Sequence, residues 1–196
     1  TPLFRSVAVD VDDALPTVST RVVRSEFGRV PVLLHQRTLI GIITRADLIR
    51  VHGERLWPPM PLGRQRSTSH PSPEKVDGQG LLTLRPDMPL SEISELFIRR
   101  KVTGLPVVDE QTKLLGIITE KDLLHHCLHP CPSTATVGAC MTTDVTAFHP
   151  EADLDQVCEC LLERDFDQAP MVDQGRLVGV ISRSDILRSR MAAFKR

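Results

Sequence analysis

Ala169-Pro-Met-Val-Asp-Gln-Gly-Arg-Leu-Val-Gly-Val-Ile-Ser-Arg-Ser-Asp-Ile-Leu187 decides how the rest of the chain is read. Ala169–Asp173 is apolar and β-prone, Gln174-Gly175 is a turn signal, and Leu177–Ile181 is a second β-branched run. Ser182 is then a natural helix N-cap, with Asp185 at the third helical position. The stretch predicts a hairpin running into a helix. The same pattern occurs twice more: Leu105-Pro-Val-Val-Asp through Gly116–Asp122, and Val30-Pro-Val-Leu-Leu through Gly41–Asp47.

The repetition extends upstream. In each copy a leucine opens a helical pattern with apolar residues three, seven and eight positions on: Leu15, Val18, Val22 and Val23; Leu90, Ile93, Phe97 and Ile98; Leu154, Val157, Leu161 and Leu162. Leucine and proline are 16 residues apart each time: Leu15 to Pro31, Leu90 to Pro106, Leu154 to Pro170. Asp12, Asp87 and Glu151 stand three residues before the leucines, where a cap or a helix-dipole partner belongs. Short strands are expected before them at Ser6–Val9, Leu81–Leu84 and Val145–Phe148. Each unit then reads strand, helix, strand, strand, helix. The first helix is a right-handed crossover between parallel strands, and the later strands form an antiparallel hairpin. The fold class is α/β, with a small mixed sheet and two helices on one face of each unit. A unit of about 50 residues is marginal alone, so the units are expected to pack on one another.

The expected boundaries are 1–53 for repeat 1, 81–129 for repeat 2 and 144–190 for repeat 3. A proline-rich linker at 54–80, a shorter one at 130–143 and a tail at 191–196 complete the chain. The shorter second linker makes repeats 2 and 3 the expected intimate pair. Trp57 is expected to pack on a neighbouring repeat. The 196 residues are 41% hydrophobic and 25% charged, with a net charge of −1, so bulk attraction to nucleic acid is not expected. No apolar run approaches the ~20 residues of a membrane span, and no signal peptide stands at the start. Five cysteines without regular spacing fit reduced cytosolic thiols. A cytoplasmic chain is expected, or the cytosolic part of a larger protein. The start at Thr1 rather than Met leaves a missing upstream domain as an expectation.

The motif Gly-h-h-[Thr/Ser]-x-x-Asp, with h apolar, stands at Gly41–Asp47, Gly116–Asp122 and Gly179–Asp185. On it the chain resembles the CBS domains, regulatory units named after cystathionine β-synthase, over nearly everything outside the linkers. The resemblance implies that two units pair through their sheets into a pseudo-twofold module. It also implies clefts between units that take adenosine-containing ligands, such as AMP, ADP or ATP or an adenosyl group, as effectors. No cofactor is implied.

The residue types suit that chemistry. A hydroxyl at a helix N-terminus beside free N–H groups suits a polar or anionic ligand group. A carboxylate three residues on can accept from both hydroxyls of a ribose. By resemblance these roles fall on Thr44 and Asp47, Thr119 and Asp122, and Ser182 and Asp185. The adenine side falls on Val102, Gly104 and Leu105 in repeat 2 and on Phe166, Gln168 and Ala169 in repeat 3, with Thr143 and Val145 lining a cleft edge. The same hydroxyl-carboxylate pair is also a plain capping-box variant and needs no ligand.

Repeat 2 offers Arg99, Arg100 and Lys101 to a phosphate tail, whereas repeat 3 offers Asp165 and Asp167, which repel one. The repeat 2 cleft is therefore expected to prefer the charged nucleotide. The repeat 3 cleft is expected empty, or holding an uncharged or cationic adenosyl group, with Arg183 able to supply a positive group to either. Three units leave one without an internal partner, so a homo-oligomer, as a dimer, is expected, or a fourth unit upstream. The alternatives are a ligand-free oligomerisation module and a metal sensor built on His125, His126, Cys127, His129, Cys131 and Cys140, whose spacing matches no standard zinc site. Cys158 is expected in a core. No nucleophile elbow, Walker loop or dinucleotide fingerprint is present, so no enzyme activity is expected.

Overall fold

The computed structural model describes residues 8–25, 27–56, 75–76, 81–128 and 134–193. The expectations on Ser6, Val7, Trp57, most of the 54–80 linker, His129 and Cys131 lie outside them. In chain order the elements are β1 (Val9–Asp10), α1 (Leu15–Arg24), β2 (Arg29–Leu34), β3 (Thr38–Thr44), α2 (Arg45–Leu56), β4 (Lys75–Val76) and β5 (Leu81–Leu82). There follow α3 (Leu90–Arg100), β6 (Gly104–Val108), β7 (Leu114–Thr119), α4 (Glu120–Leu128), α5 (Val137–Cys140), α6 (Leu154–Glu163), β8 (Gln168–Asp173), β9 (Arg176–Ser182) and α7 (Arg183–Ala193). The order helix, strand, strand, helix therefore recurs three times, as the spacing predicts.

All three hairpins share one register. Arg29 pairs with Thr44, Gly104 with Thr119 and Gln168 with Ser182, and each hairpin has a register shift just before its turn. The Gln174-Gly175 turn takes two positive φ angles, 49° and 80°, the twist that a two-residue hairpin requires.

The first strands differ between repeats. In repeat 1, Val9 and Asp10 pair parallel with Val32 and Leu33, and the Val11 N–H donates to the Leu33 carbonyl at 2.8 Å. In repeats 2 and 3 the strand shrinks to one bridging residue, Leu84 opposite Val107 and Phe148 opposite Met171. The place of Val11 is taken there by Pro86 and Pro150. Proline has no N–H to continue the ladder. The three-stranded sheet expected of every unit is thus complete only in repeat 1.

Helix packing follows the apolar spacing with one refinement. The residues three and seven on from each leucine are buried: Val18 and Val22, Ile93 and Phe97, Val157 and Leu161. The eighth position falls about 100° further round the helix, and Leu162 is 62% exposed. The expected caps at Asp12, Asp87 and Glu151 do not form. Ala14 and Pro89 precede α1 and α3 without a side-chain cap, and α6 is capped by Asp153, whose carboxylate accepts from the Asp155 N–H at 2.7 Å.

The chain divides into two compact units that regroup the repeats. One holds residues 1–65, 89–102 and 120–135; the other holds 66–88, 103–119 and 136–196. The helices of repeat 2 thus belong with repeat 1, and its strands belong with repeat 3. In the first unit α2 packs on α4 and α3, and α1 reaches α4. Leu48 and Ile49 of α2 and Leu123 and Leu124 of α4 are fully buried. In the second unit Val157, Leu161, Ala169 and Ile186 form a core with Phe148, Ala152, Cys158 and Ile181 against it.

The second unit also joins the hairpins of repeats 2 and 3. Lys113 bridges Arg176, the Leu114 N–H donates to the Gly175 carbonyl at 3.3 Å, and the Leu177 N–H donates to the Thr112 carbonyl at 2.9 Å. The two bonds exchange equivalent atoms of equivalent residues, which is a local twofold relation. Residues 141–142 cover the other end of β7. Ile117 and Thr142 exchange both backbone bonds at 2.9 and 2.8 Å.

Candidate functional site

In repeats 1 and 3 the hydroxyl-carboxylate pair folds as sequence predicts, with the geometry of a reciprocal cap. In repeat 1 the Asp47 carboxylate accepts from the Thr44 N–H at 2.9 Å and the Thr44 hydroxyl at 2.7 Å. The Thr44 hydroxyl oxygen accepts from the Asp47 N–H at 3.3 Å. In repeat 3 the Ser182 N–H donates to Asp185 at 2.9 Å, the Ser182 hydroxyl bonds the same oxygen, and the Asp185 N–H donates back at 3.2 Å. The second Asp185 oxygen accepts from Arg188. The Ser182 hydroxyl, then Arg188 and the Ser182 N–H, hold the Asp185 carboxyl below its ordinary value. Its carboxylate is thereby favoured in the ionised, acceptor-only form. Thr119 ends β7 and Asp122 stands in the first turn of α4, both half-buried.

Repeats 2 and 3 meet at the residues expected to line the adenine side. The Gln168 Nε2 donates to the Gly104 carbonyl at 2.6 Å. A Cβ on Gly104 would stand 3.1 Å from the same Nε2. Gly104, Leu105 and Ala169 are buried, Val102 and Val145 half-buried, and Thr143 and Phe166 exposed. Lys101 is exposed and takes the left-handed conformation after α3, at φ 53°. Asp165 occupies the equivalent place after α6, at φ 52°.

The residue after each hydroxyl was less legible. Arg45 is 9% exposed; its N–H donates to the Gly28 carbonyl at 3.0 Å and its Nη2 to the Ser25 carbonyl at 2.7 Å. In repeat 3 the Arg183 N–H donates to the Asp167 carbonyl at 3.0 Å. Its Nη2 donates to the Leu161 carbonyl at 2.8 Å and reaches Asp165 at 3.1 Å. Each arginine thus ties the end of the preceding helix to the start of the hairpin. Asp165 is paired, so the repulsion expected of Asp165 and Asp167 is partly offset by Arg183, which is itself engaged locally. An arginine at this place in two repeats and Glu120 in the third was the available signal.

A cavity of about 320 Å³ lies at the far end of β2 from Thr44, beside Asp10, Asp13, Arg21 and Gln36. Its polar groups are satisfied: Arg21 pairs with Asp13 at 2.8 Å, and the Gln36 N–H donates to Asp10 at 2.6 Å. No group of His, Cys, Asp or Glu that could hold a metal ion occurs among the described residues. Cys140 is buried, and Cys158 lies against the repeat 3 core, as expected. No helix among the described residues is long and apolar enough to cross a membrane.

Three repeats with this register, a hydroxyl-carboxylate cap at the expected helix start in repeats 1 and 3 and sheet-to-sheet contact between two of them define a tandem CBS architecture. The chain belongs to the CBS domain family, which matches residues 4–54, 78–129 and 137–192. Among individual proteins it is similar to the uncharacterised protein MJ1225 of Methanocaldococcus jannaschii, 26% identical over 172 residues, or 84% of this chain and 60% of that one. It is 32% identical over 118 residues to the inosine-5'-monophosphate dehydrogenase of the same organism, of which it covers only 23%. The chain therefore spans between 22% and 60% of the length of the first curated relatives it matches. Among solved structures, Arabidopsis thaliana CBSX2 in complex with AMP superposes with a TM-score of 0.54 at 28% identity, covering 61% of this chain and 93% of that one. The MJ1225 crystal structure shares the fold over 95% of this chain and 67% of its own, with a TM-score of 0.52 at 20% identity.

Proposed function

We propose that this chain is a non-catalytic regulatory module that binds an adenosine-containing ligand and transmits its occupancy to an attached or partner protein, working as a homodimer. The observation that carries the reading is the likeness to CBSX2, whose structure is a complex with AMP, over 61% of this chain. The chemistry of the caps supports it. Asp185 is ionised and sits at a helix mouth, where a ribose could exchange for the Ser182 hydroxyl. Lys101 at an exposed left-handed position gives repeat 2 a cation where repeat 3 has Asp165, so repeat 2 is read as the one that favours the charged nucleotide. The mechanism is a population shift, in which the ligand favours one arrangement of repeats over another.

Thermal unfolding with AMP, ADP, ATP and S-adenosylmethionine tests the reading. Ligand at about a hundred times its Kd adds roughly 2.7 kcal/mol to stability. That shift should vanish in Asp122→Ala for the nucleotide and persist in Asp185→Ala. No shift with any of the four ligands would leave the second reading, a ligand-free interaction module. One observation favours that alternative: Gln168 already holds the carbonyl of Gly104, a residue expected on the adenine side.

A further inference from the structure

One backbone acceptor where repeats 2 and 3 meet is held by a side chain rather than by its own sheet. The Leu84 N–H donates to the Pro106 carbonyl and the Val108 N–H to the Leu84 carbonyl, both at 2.9 Å. That edge of β6 faces away from β7. Backbone groups alternate sides along a strand, so the Gly104 carbonyl, two residues before Pro106, faces the same outer edge and lies outside the β6–β7 ladder. Leu82, next in line along this edge, pairs with Lys75 instead. The Gln168 Nε2 takes the carbonyl at 2.6 Å. A Cβ on residue 104 would crowd that nitrogen at 3.1 Å, so glycine leaves the amide its room. Gly104 pairs with Thr119 and Gln168 with Ser182. The bond therefore joins the strand residues that flank two of the expected ligand hydroxyls.

The chemistry of this contact singles it out. A carboxamide NH2 and the exocyclic amine of adenine are the same kind of donor, a planar NH2 conjugated to a π system. At 2.6 Å the amide nitrogen occupies the approach that a base nitrogen needs to bond the same carbonyl. We propose that the Gln168 carboxamide is an intramolecular stand-in for the adenine amine. It holds the Gly104 carbonyl in the nucleotide-free state and must withdraw when a nucleotide takes the adenine side of repeat 2. This rests on the nucleotide reading of repeat 2 and adds a built-in competitor to it. Only molecules with the amide withdrawn are competent, so the apparent Kd is the intrinsic one divided by their fraction. The device is one-sided. Gly104 has no side chain to return the contact to repeat 3. Repeat 1 has Arg29 at this register position, and its Nε donates to the Phe27 carbonyl at 3.4 Å within its own repeat. The competitor therefore raises the ligand threshold of repeat 2 alone.

Calorimetric titration of the full chain with AMP tests this in wild type, Gln168→Ala and Gln168→Met. Methionine keeps the length of the side chain and has no N–H to donate. Both substitutions should lower the AMP Kd by about two- to tenfold, the worth of one intramolecular hydrogen bond. Both should also lower the melting temperature of the nucleotide-free chain. A tighter complex from a less stable protein is the signature of a competitor. A residue that contacts the base would lose affinity when replaced, and a purely structural one would leave affinity unchanged. In wild type, saturating AMP should abolish the nuclear magnetic resonance coupling across the hydrogen bond from the Gln168 amide to the Gly104 carbonyl. An unchanged or raised Kd in either variant overturns the proposal, as does a coupling that persists in AMP-saturated wild type. The coupling decides the matter if the variants do not fold. AMP binding by the variants but not by wild type supports the competitor. No AMP binding by any of the three proteins removes the AMP reading and the competitor together, whereas equal binding by all three removes the competitor alone.

Discussion

The hairpins of repeats 1 and 2 share the words Leu-x-Gly-Ile-Ile-Thr and live in different surroundings. Gly41 faces open space, whereas a Cβ on Gly116 would stand 2.7 Å from the Thr142 carbonyl and 2.8 Å from the Met141 sulfur. Ile42 is 60% exposed, whereas Ile117 is half-buried and paired with Thr142. Residues 141–142 lie along β7, where Ile117 and Thr142 exchange both backbone bonds. The same strand is therefore surface in one repeat and interior in another. Its role is set by what covers it rather than by its own residues.

Matched substitutions break or sharpen this contrast. The largest effect is expected from Leu177→Ala, which removes a buried side chain and should cost about 2–5 kcal/mol in chemical denaturation. The equivalent Leu39→Ala, measured dilute enough to exclude self-association, should cost under about 0.5 kcal/mol. Comparable losses would end the distinction between covered and open hairpins. Next comes Gly116→Ala, which must displace a backbone carbonyl and should cost about 1–3 kcal/mol. Gly41→Ala should be neutral or stabilising by about 0.5–1 kcal/mol, since a strand glycine is entropically costly. Val11→Pro would convert the first strand of repeat 1 to the form of repeats 2 and 3, at a cost of about 1 kcal/mol for the lost bond to Leu33.

The smallest effect concerns the caps. Removing an exposed cap costs about 0.5–1 kcal/mol, so Asp185→Ala should lower stability by that order. Its pH dependence has a definite sign. The folded Asp185 carboxyl is held below its ordinary value. Its contribution is therefore fully present above the unfolded value of about 3.9 and is lost as pH falls through the folded one. Urea titrations of wild type and Asp185→Asn should converge as pH is lowered below about 4, and divergence there would overturn the assignment.

Local structure was legible wherever it rested on spacing. The leucine-to-proline interval placed three helices and three hairpins, and the Ser182–Asp185 pair placed a cap. Features set by a single atom or by distant chain were not legible from that pattern. Pro86 and Pro150 shorten a strand by lacking one N–H. Asp153, not Glu151, caps α6 because its oxygen reaches the Asp155 N–H. Of the expected site residues, Gln168, Gly104, Ser182 and Asp185 fall in one compact unit, and Thr44, Asp47, Lys101, Val102 and Asp122 in the other. The engagements of Gln168 with Gly104, of Ser182 with Asp185 and of Asp185 with Arg188 depend on side-chain placement that periodicity does not encode.

The regrouping of repeat 2, helices with one neighbour and strands with the other, has a consequence for how the molecule comes apart. The unit copied in the sequence is not the unit that should open cooperatively. Amides of α4 should exchange with solvent in step with those of α2, and amides of β7 in step with those of β9, although α4 follows β7 directly in the chain. Ancestry and cooperativity would thus trace different borders through the same polypeptide.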